Sequence, residues 1–554
     1  MWISSQSSRA TLSTTSRPIG RAVSLALVLS SLTFAAGAEE GPVVPMTVSP
    51  GLAVGPLDVS KGETFELSLE QALLYALQHN VSLVVQRYER SRSLLGIDAE
   101  RGLYDFNLEA DALTSSSTRP TSSVLENADV ISSDTDRLNF RLQRNIPWGG
   151  GFQLSFNNSK SQSSDANVQP NPYFSLGLSL GFEQPLMRNF GKEITERSIW
   201  VASNNSKLNR EAFRNQIESI VQQVSDSYWN LVGARQQLAV SEESLKLAKE
   251  LHEMNRIQVE VGTKAPLELV QSEVGVATRE EEIIRRRAAV EDSEDSLRGL
   301  MNLVQTELWS IPIVPVTPAE IAHQPVDLPA AVATARKKRV DIVRQQLVNE
   351  QRQLDLRIAA NQKKPRLDLQ TNFGYSAIAG DISFTDSSGH PVVINKGYSD
   401  ALEQLTDRDF DAWSIQLNFA VPLENTTAKA KAAQAELLVE QGNLELRDLL
   451  DQAMLDVRRA ARQVETAAKA IELGKISSKL ARKNLEAEQK RYENGLSTSF
   501  QVLQIQEDLS IALSNEVNAI ITYRKAVVAL DRAKGELLEK TGVRLADDDG
   551  PEAN

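Results

Sequence analysis

Cysteine is absent from all 554 residues, which excludes disulfides, Cys-ligated metal centres and a lipid-modified N-terminal cysteine. Histidine is nearly as scarce: His79, His252, His323 and His390 are scattered without the spacing of a ligand set. Beyond an N-terminal segment, no apolar run approaches the ~20 residues that a spanning helix needs. Insertion into a bilayer would have to use strands, and strands cross lipid only as a closed barrel. The sequence holds no H-E-x-x-H, P-loop, G-x-S-x-G or dinucleotide fingerprint, and Gly149–Gly151 suit a turn between strands better than a phosphate site. Carboxylates are plentiful because the helices are charged, so no pair stands out as acid and base. The reading is of a protein that is not an enzyme and uses no cofactor or metal. Basic residues are outnumbered, 60 against 73, for a net charge of −13, and a chain this acidic repels nucleic acid.

The N-terminal segment reads as an export signal. Arg9, Arg17 and Arg21 precede an apolar run from Ala22 to Phe34, and Ala36-Gly37-Ala38 offers small residues for cleavage. Residues 1–38 are therefore expected to be removed, leaving a chain that starts at Glu39 with a net charge three units lower, −16. Residues 39–66 form an N-terminal extension, and residues 543–554 a disordered tail.

What is present is a duplication. One unit covers 67–304 and a second covers 328–542, separated by a linker over 305–327 that carries Pro312, Pro315, Pro318 and Pro325. Each unit has the order helix, strands, very long helix, tight reversal, returning helix. The opening helices are Leu69–Asn80, with Ser68 as N-cap, and Leu328–Arg339, with Pro329 in its first turn. The long helices are expected over 186–261 and 423–494, and the returning helices over 265–304 and 499–540. A heptad stripe runs Ile217, Ile220, Val224, Ser227, Leu231, Ala234, Leu238, Ser241, Leu245, Ala248. It recurs 233 residues later, from Leu450 and Ala453 through Val457, Val464, Ala467 and Ile471 to Gly474, Ser478 and Ala481. A seven-residue period imposes supercoiling, and small seam residues let backbones approach. A soluble antiparallel coiled coil would show the same seam, but one unbroken helix from 186 to 261 would span roughly 110 Å at ~1.5 Å per residue.

Strands are expected within 103–184 and 366–421. Four segments alternate with period two: Tyr104–Ala112, Phe174–Phe182, Leu367–Tyr375 and Trp413–Val421. Each matches the ~9–11 residues of a tilted barrel strand. A soluble sheet with one wet face would alternate too, and four strands are too few to close a lipid-spanning barrel alone, where about eight is the minimum. A further hairpin over 137–159, turning at Pro147-Trp148-Gly149-Gly150, either adds two strands or projects outside; the alternation does not decide between these. Ser115–Ser133, Ser159–Asn171 and Gly380–Asp400 read as loops.

These features resemble the outer membrane efflux, or TolC-like, family over nearly the whole chain after residue 38. Leu67–Asn80 resembles the family's opening helix. Phe182–Leu186 and Phe419–Leu423 resemble its strand-to-helix switch, where Pro185 and Pro422 end strand pairing. Val261–Gln271 and Arg491–Gln504 resemble its two helical reversals. The resemblance implies an α+β fold in which long antiparallel coiled-coil helices form a periplasmic tunnel and about four strands per chain complete a barrel in a homotrimer, twelve strands in all. It implies residence in the outer membrane, with residues 39–66 in the periplasm, and partnership with a periplasmic adaptor and an inner-membrane transporter or secretion ATPase. It also implies an entrance and adaptor-docking tip at Gly262, Lys264, Glu268, Gly495, Ser497, Gln501 and Gln504. Glu268 stands where members often carry an entrance carboxylate. The second unit departs from the pattern, with Gln501 and Gln504 in place of aspartates and Ser497 in place of an arginine, while Lys264 takes the arginine-like position in the first. The function expected is an exit duct of a tripartite efflux pump. The alternatives are a duct for type I protein secretion and, more remotely, a periplasmic coiled-coil spacer or adaptor without a pore.

Overall fold

A computed structural model describes residues 64–121, 129–165, 167–304, 306–319 and 325–543. The export signal, most of the N-terminal extension, residues 320–324 of the linker with His323, and the tail beyond 543 lie outside them. Among the described residues no helix is long and apolar enough to cross a membrane.

The first half opens with β1 (Phe65–Leu67), α1 (Leu69–His79) and α2 (Val81–Arg101). Ser68 caps α1 in a reciprocal box with Gln71: its hydroxyl accepts from the Gln71 N–H at 3.1 Å, and the Gln71 side chain accepts from the Ser68 N–H at 2.9 Å. Four strands follow, β2 (Asn107–Pro120), β3 (Val130–Asn145), β4 (Gly151–Ser163) and β5 (Tyr173–Pro185), then a short turn α3 (Lys192–Thr195). The long helix α4 (Arg197–Glu260) and its return α5 (Pro266–Leu300) complete the half. The linker supplies β6 (Ile313–Pro315). The second half repeats the order with α6 (Leu328–Lys338), α7 (Val340–Gln362), β7 (Arg366–Gly380), a small hairpin β8 (Ile382–Thr385) and β9 (Pro391–Ile394), α8 (Tyr398–Asp407), β10 (Asp411–Ala420), α9 (Thr426–Glu493), α10 (Ser499–Lys534) and α11 (Leu537–Lys540).

Several boundaries differ from the sequence expectation, each for a local reason. The first long helix begins at Arg197 instead of Leu186, because Asn189 (φ 66°) and Gly191 (φ 113°) hold the chain out of the helical region. The second begins at Thr426 instead of 423, after Asn425 at φ 50°. The last returning helix breaks at Gly535, whose φ is 72° and where a Cβ would collide with the Lys338 backbone. Helices α2 and α7 were not anticipated, since neither presents a sustained apolar stripe; only Leu83 and Arg90 of α2 are buried. The three stretches expected as loops contain regular structure. β2 and β3 pair across Ser115↔Thr135 and on to Pro120↔Val130, β4 reaches Ser163, and β8, β9 and the start of α8 lie within 380–400. Hydroxyl-rich segments satisfy a ladder as readily as a loop when the neighbouring strand is present, as where Thr114 donates to Asp136 at 2.8 Å.

One six-stranded antiparallel sheet results, in the order β10-β7-β5-β4-β3-β2. It contains the four alternating segments and both strands of the hairpin whose place the alternation left open. The core below it joins α1 and α4 to the parallel ribbon of β1 and β6 through Leu67, Ile217, Val224, Tyr228, Leu231 and Ile313. Tyr228 fastens the ribbon, donating to the Leu67 carbonyl at 3.0 Å and accepting from the Thr317 N–H at 3.0 Å.

Candidate functional site

The two reversals, α4 to α5 and α9 to α10, are built alike. Gly262 (φ 82°) and Gly495 (φ 76°) take the left-handed conformation just past each long helix. The Thr263 N–H reaches back to the Gln258 carbonyl at 2.9 Å, and the Leu496 N–H reaches the Arg491 carbonyl at 2.8 Å. This is the six-to-one closure of a Schellman turn, which favours glycine at that position. Pro266 then occupies the first turn of α5, and the Thr498 hydroxyl caps α10 by accepting from the Gln501 N–H at 3.3 Å.

The structure brings the two reversals of one chain together. Glu268, half-buried, turns its carboxylate onto the first residue of α10 and accepts from both the Ser499 hydroxyl and, at 2.9 Å, the Ser499 N–H. A carboxylate there meets the positive end of the helix. Asn255 of α4 donates to Ser499 Oγ at 2.8 Å and to the Glu268 carbonyl at 3.3 Å, while Tyr492 of α9 donates to Asn255 Oδ1 and lies 3.0 Å from Ser499 Oγ. Tyr492, Asn255 and Ser499 are each at most 1% exposed. Burial, reinforced by the nearby Glu268 charge, pushes the Tyr492 phenol above its ordinary value. Lys264 lies over the Tyr492 ring, 4.3 Å from its centre. Ser497 donates to Glu488, whose buried carboxylate also accepts from Arg491 at 3.0 Å. Gln501 and Gln504 stay on the exposed face of α10, where Gln504 donates to Asp508 at 3.4 Å. Of the anticipated tip residues, Lys264 and Glu268 thus join one cluster, Ser497 joins a second, and the glutamines join neither.

Sequence reading passed over Asn255, Tyr492, Ser499 and Glu488. The signal was in the heptad stripe, which continues past Ala248 to Asn255 and past Ala481 to Leu485, Glu488 and Tyr492. A polar residue on a seam position is the mark of a register-setting contact.

Next to the cluster, α5 and α10 enclose a groove of about 370 Å³ lined by Val270, Val274, Phe500, Leu503, Gln504 and Glu507. At its floor Arg279 donates to Ser244 Oγ at 2.9 Å and to the Gly275 carbonyl at 3.2 Å, and burial lowers its pKa. At the other end of the helices, Pro185 holds the last register position of β5, opposite Asp368, and the Leu186 N–H still reaches the Leu367 carbonyl at 2.7 Å. Pro422 lies two residues beyond the last paired residue, Ala420. Pairing therefore ends at Ala420, before Pro422, but continues past Pro185, where the Arg188 N–H also reaches the Pro365 carbonyl at 3.3 Å, and the turn into each helix is made by Gly191 and Asn425.

The model of the outer membrane efflux protein family matches residues 151–303 and 331–536. The chain is similar in fold to the CmeC outer membrane channel of Campylobacter jejuni, with a TM-score of 0.58, 15% identity and 86% of each chain covered. It is similar to the outer membrane protein VceC of Vibrio cholerae, with a TM-score of 0.58 and 16% identity over 84% of this chain and 96% of the other. The open state of the Neisseria gonorrhoeae MtrE outer membrane channel gives a TM-score of 0.56 and 15% identity over 89% and 96%. A search of curated proteins found none that matches by sequence.

Proposed function

The chain belongs to the outer membrane efflux protein family, and from that premise we propose that it is the outer-membrane exit duct of a tripartite efflux pump. In this reading three copies share one barrel and pass small molecules outward without chemistry of their own. One observation carries it: amphipathic strands lead, through short turns, into coiled-coil helices of 64 and 68 residues. A helix of 64 residues is about 96 Å long at ~1.5 Å per residue, enough to carry a lumen far from the bilayer. A spacer or adaptor without a pore has no use for an apolar sheet at one end of such helices.

The reversals serve as the periplasmic entrance in this account. Glu268, Asn255, Ser499 and Tyr492 tie the two helix pairs of a chain in the closed state, and the exposed apolar groove beside Arg279 offers a docking surface to a periplasmic adaptor. Opening requires the pairs to slide. Small seam residues such as Ala467 and Gly474 permit that at little steric cost, as a Cβ on Gly474 would stand 3.3 Å from Glu516 Cα.

Cells deleted for this protein should accumulate a fluorescent efflux dye, and re-expression should restore its export. Dye handling left unchanged while a secreted protein is lost from the medium would favour the type I secretion duct instead.

A further inference from the structure

The apolar side of the sheet is continuous across all six strands. One row of register partners reads Leu108, Leu142, Leu154, Leu180, Phe373, Trp413, from β2 to β10. Five of these six are at least 40% exposed, with Trp413 at 70%. The neighbouring row on the opposite side reads Glu109, Arg141, Ser155, Ser179, Gly374, Ala412. That polar side is concave and lines a trough of about 960 Å³. The hairpin of β3 and β4 thus carries the same apolar face outward and the same polar face inward as the strands flanking it. Helix α8 covers one end of the apolar face, with Ala401 and Leu405 against Leu176, Ala377 and Ala379. Below it the ten residues of β10 span about 27 Å along a barrel axis at a tilt of ~36°, close to the ~25 Å apolar band of outer-membrane barrels.

Among the described residues, the outer edges of β2 and β10 have no partner in the sheet. In lipid each backbone N–H and C=O on those edges must be satisfied. Six antiparallel strands are an even number, so β2 of one copy runs antiparallel to β10 of the next, as a closed ring requires.

Resting on the trimeric duct proposed above, we infer that the hairpin is part of the barrel, which therefore has eighteen strands, three copies of six, closed by pairing β2 of each copy with β10 of its neighbour. The register follows from closure. Strands tilted by ~36° need a stagger of about one residue per strand, hence a slip of about six residues per copy. Slipping six from Trp413 sets Leu108 opposite Phe419. That choice brings the two helix-bearing ends level, Leu108 seven residues after the end of α2 and Phe419 seven before the start of α9. The opposite slip would set Leu108 against Asp407, in α8. The pairing then matches apolar with apolar, Ala110 with Leu417 and Ala112 with Ile415, and polar with polar, Glu109 with Asn418 and Asp111 with Gln416. With strands ~4.8 Å apart, eighteen give a barrel about 34 Å across its backbone, where twelve give about 23 Å.

The absence of native cysteine makes disulfide mapping direct. Antiparallel partners sit ~4.5–5.5 Å apart at Cα, within disulfide reach. In full-length protein assembled as trimers in the outer membrane, Glu109→Cys with Asn418→Cys should oxidise to covalent dimers and trimers. Ser155→Cys with Ser179→Cys should close within each chain, and Glu109→Cys with Ser179→Cys should not react. A Glu109–Ser179 link without the Ser155–Ser179 link would place the hairpin outside the barrel and overturn the eighteen strands. Cross-linking of Glu109→Cys to Gln416→Cys or Ala420→Cys in preference to Asn418→Cys would overturn the register. Failure to reach the outer membrane as a trimer, read before oxidation, would overturn the duct itself and the barrel with it.

Discussion

In the first half, α4 buries Phe213, Ile217, Val221, Val224, Tyr228, Trp229 and Leu231 beneath α1 and the β1–β6 ribbon. In the second half the equivalent helix, α9, packs α6 through Ala331 and Ala335 against Val457, with no ribbon beside it among the described residues. α9 instead leaves Leu437, Leu444, Leu455, Leu473, Ile476 and Leu480 more than half exposed. Duplicated helices of nearly equal length have thus been put to different uses. The first half supplies most of the protomer's largest core, and the second, beyond its α9–α10 cluster, leaves a broad apolar surface for another copy or a partner to cover.

That division can be broken in order of expected effect. Trp229→Ala, at 2% exposure, should cost about 3–5 kcal/mol of protomer stability by denaturant unfolding. Leu473→Ala should cost the protomer under about 0.5 kcal/mol, as surface substitutions do, yet lower the fraction of trimer in detergent. Equal effects on both readouts would erase the distinction. Next come the glycines of α9. A Cβ at Gly442 would collide with the Asn349 carboxamide and the Arg352 guanidinium of α7, so Gly442→Ala should cost about 1–3 kcal/mol, read from the same unfolding curves. Gly474→Leu should push α9 from α10 and impair closure or assembly; unchanged conductance and trimer yield would count against the sliding seam. Smaller is Glu268→Gln, which keeps the shape but removes the charge at the α10 N-terminus. About 1–2 kcal/mol of local stability should be lost, seen as faster proteolysis at Arg491 with global unfolding unchanged.

Smallest is a pH effect. With its folded pKa raised above the unfolded value of 10.0, Tyr492 contributes stability that is complete below that value and lost as pH rises through the folded one. The phenolate absorbance difference between wild type and Tyr492→Phe should titrate above pH 10. A midpoint at or below 10 would mean that the phenol is not buried in the cluster.

Much of this architecture was legible because the signals are periodic. The seam residues from Ile217 to Ala248 and from Leu450 to Ala481 lie on buried or half-buried positions throughout, and the glycines of both reversals announce their Schellman turns. The hairpin of β3 and β4 was harder. Its alternation is interrupted by Arg144, which shares a row with Phe152 and Phe182, and by hydroxyl-rich ends that resemble loops. The entrance cluster was illegible in a different way. Contacts such as Glu268 to Ser499, 231 residues apart, depend on how two hairpins lie side by side, which spacing within either hairpin does not encode.

The central claim, a duct held closed at its reversals, is tested most directly by single-channel conductance of the purified trimer in planar bilayers, wild type beside Tyr492→Phe combined with Glu268→Gln. The account predicts small, discrete openings for the wild type and at least severalfold larger conductance for the variant at equal trimer yield. No insertion by the wild type, or identical conductance from the two, would contradict it.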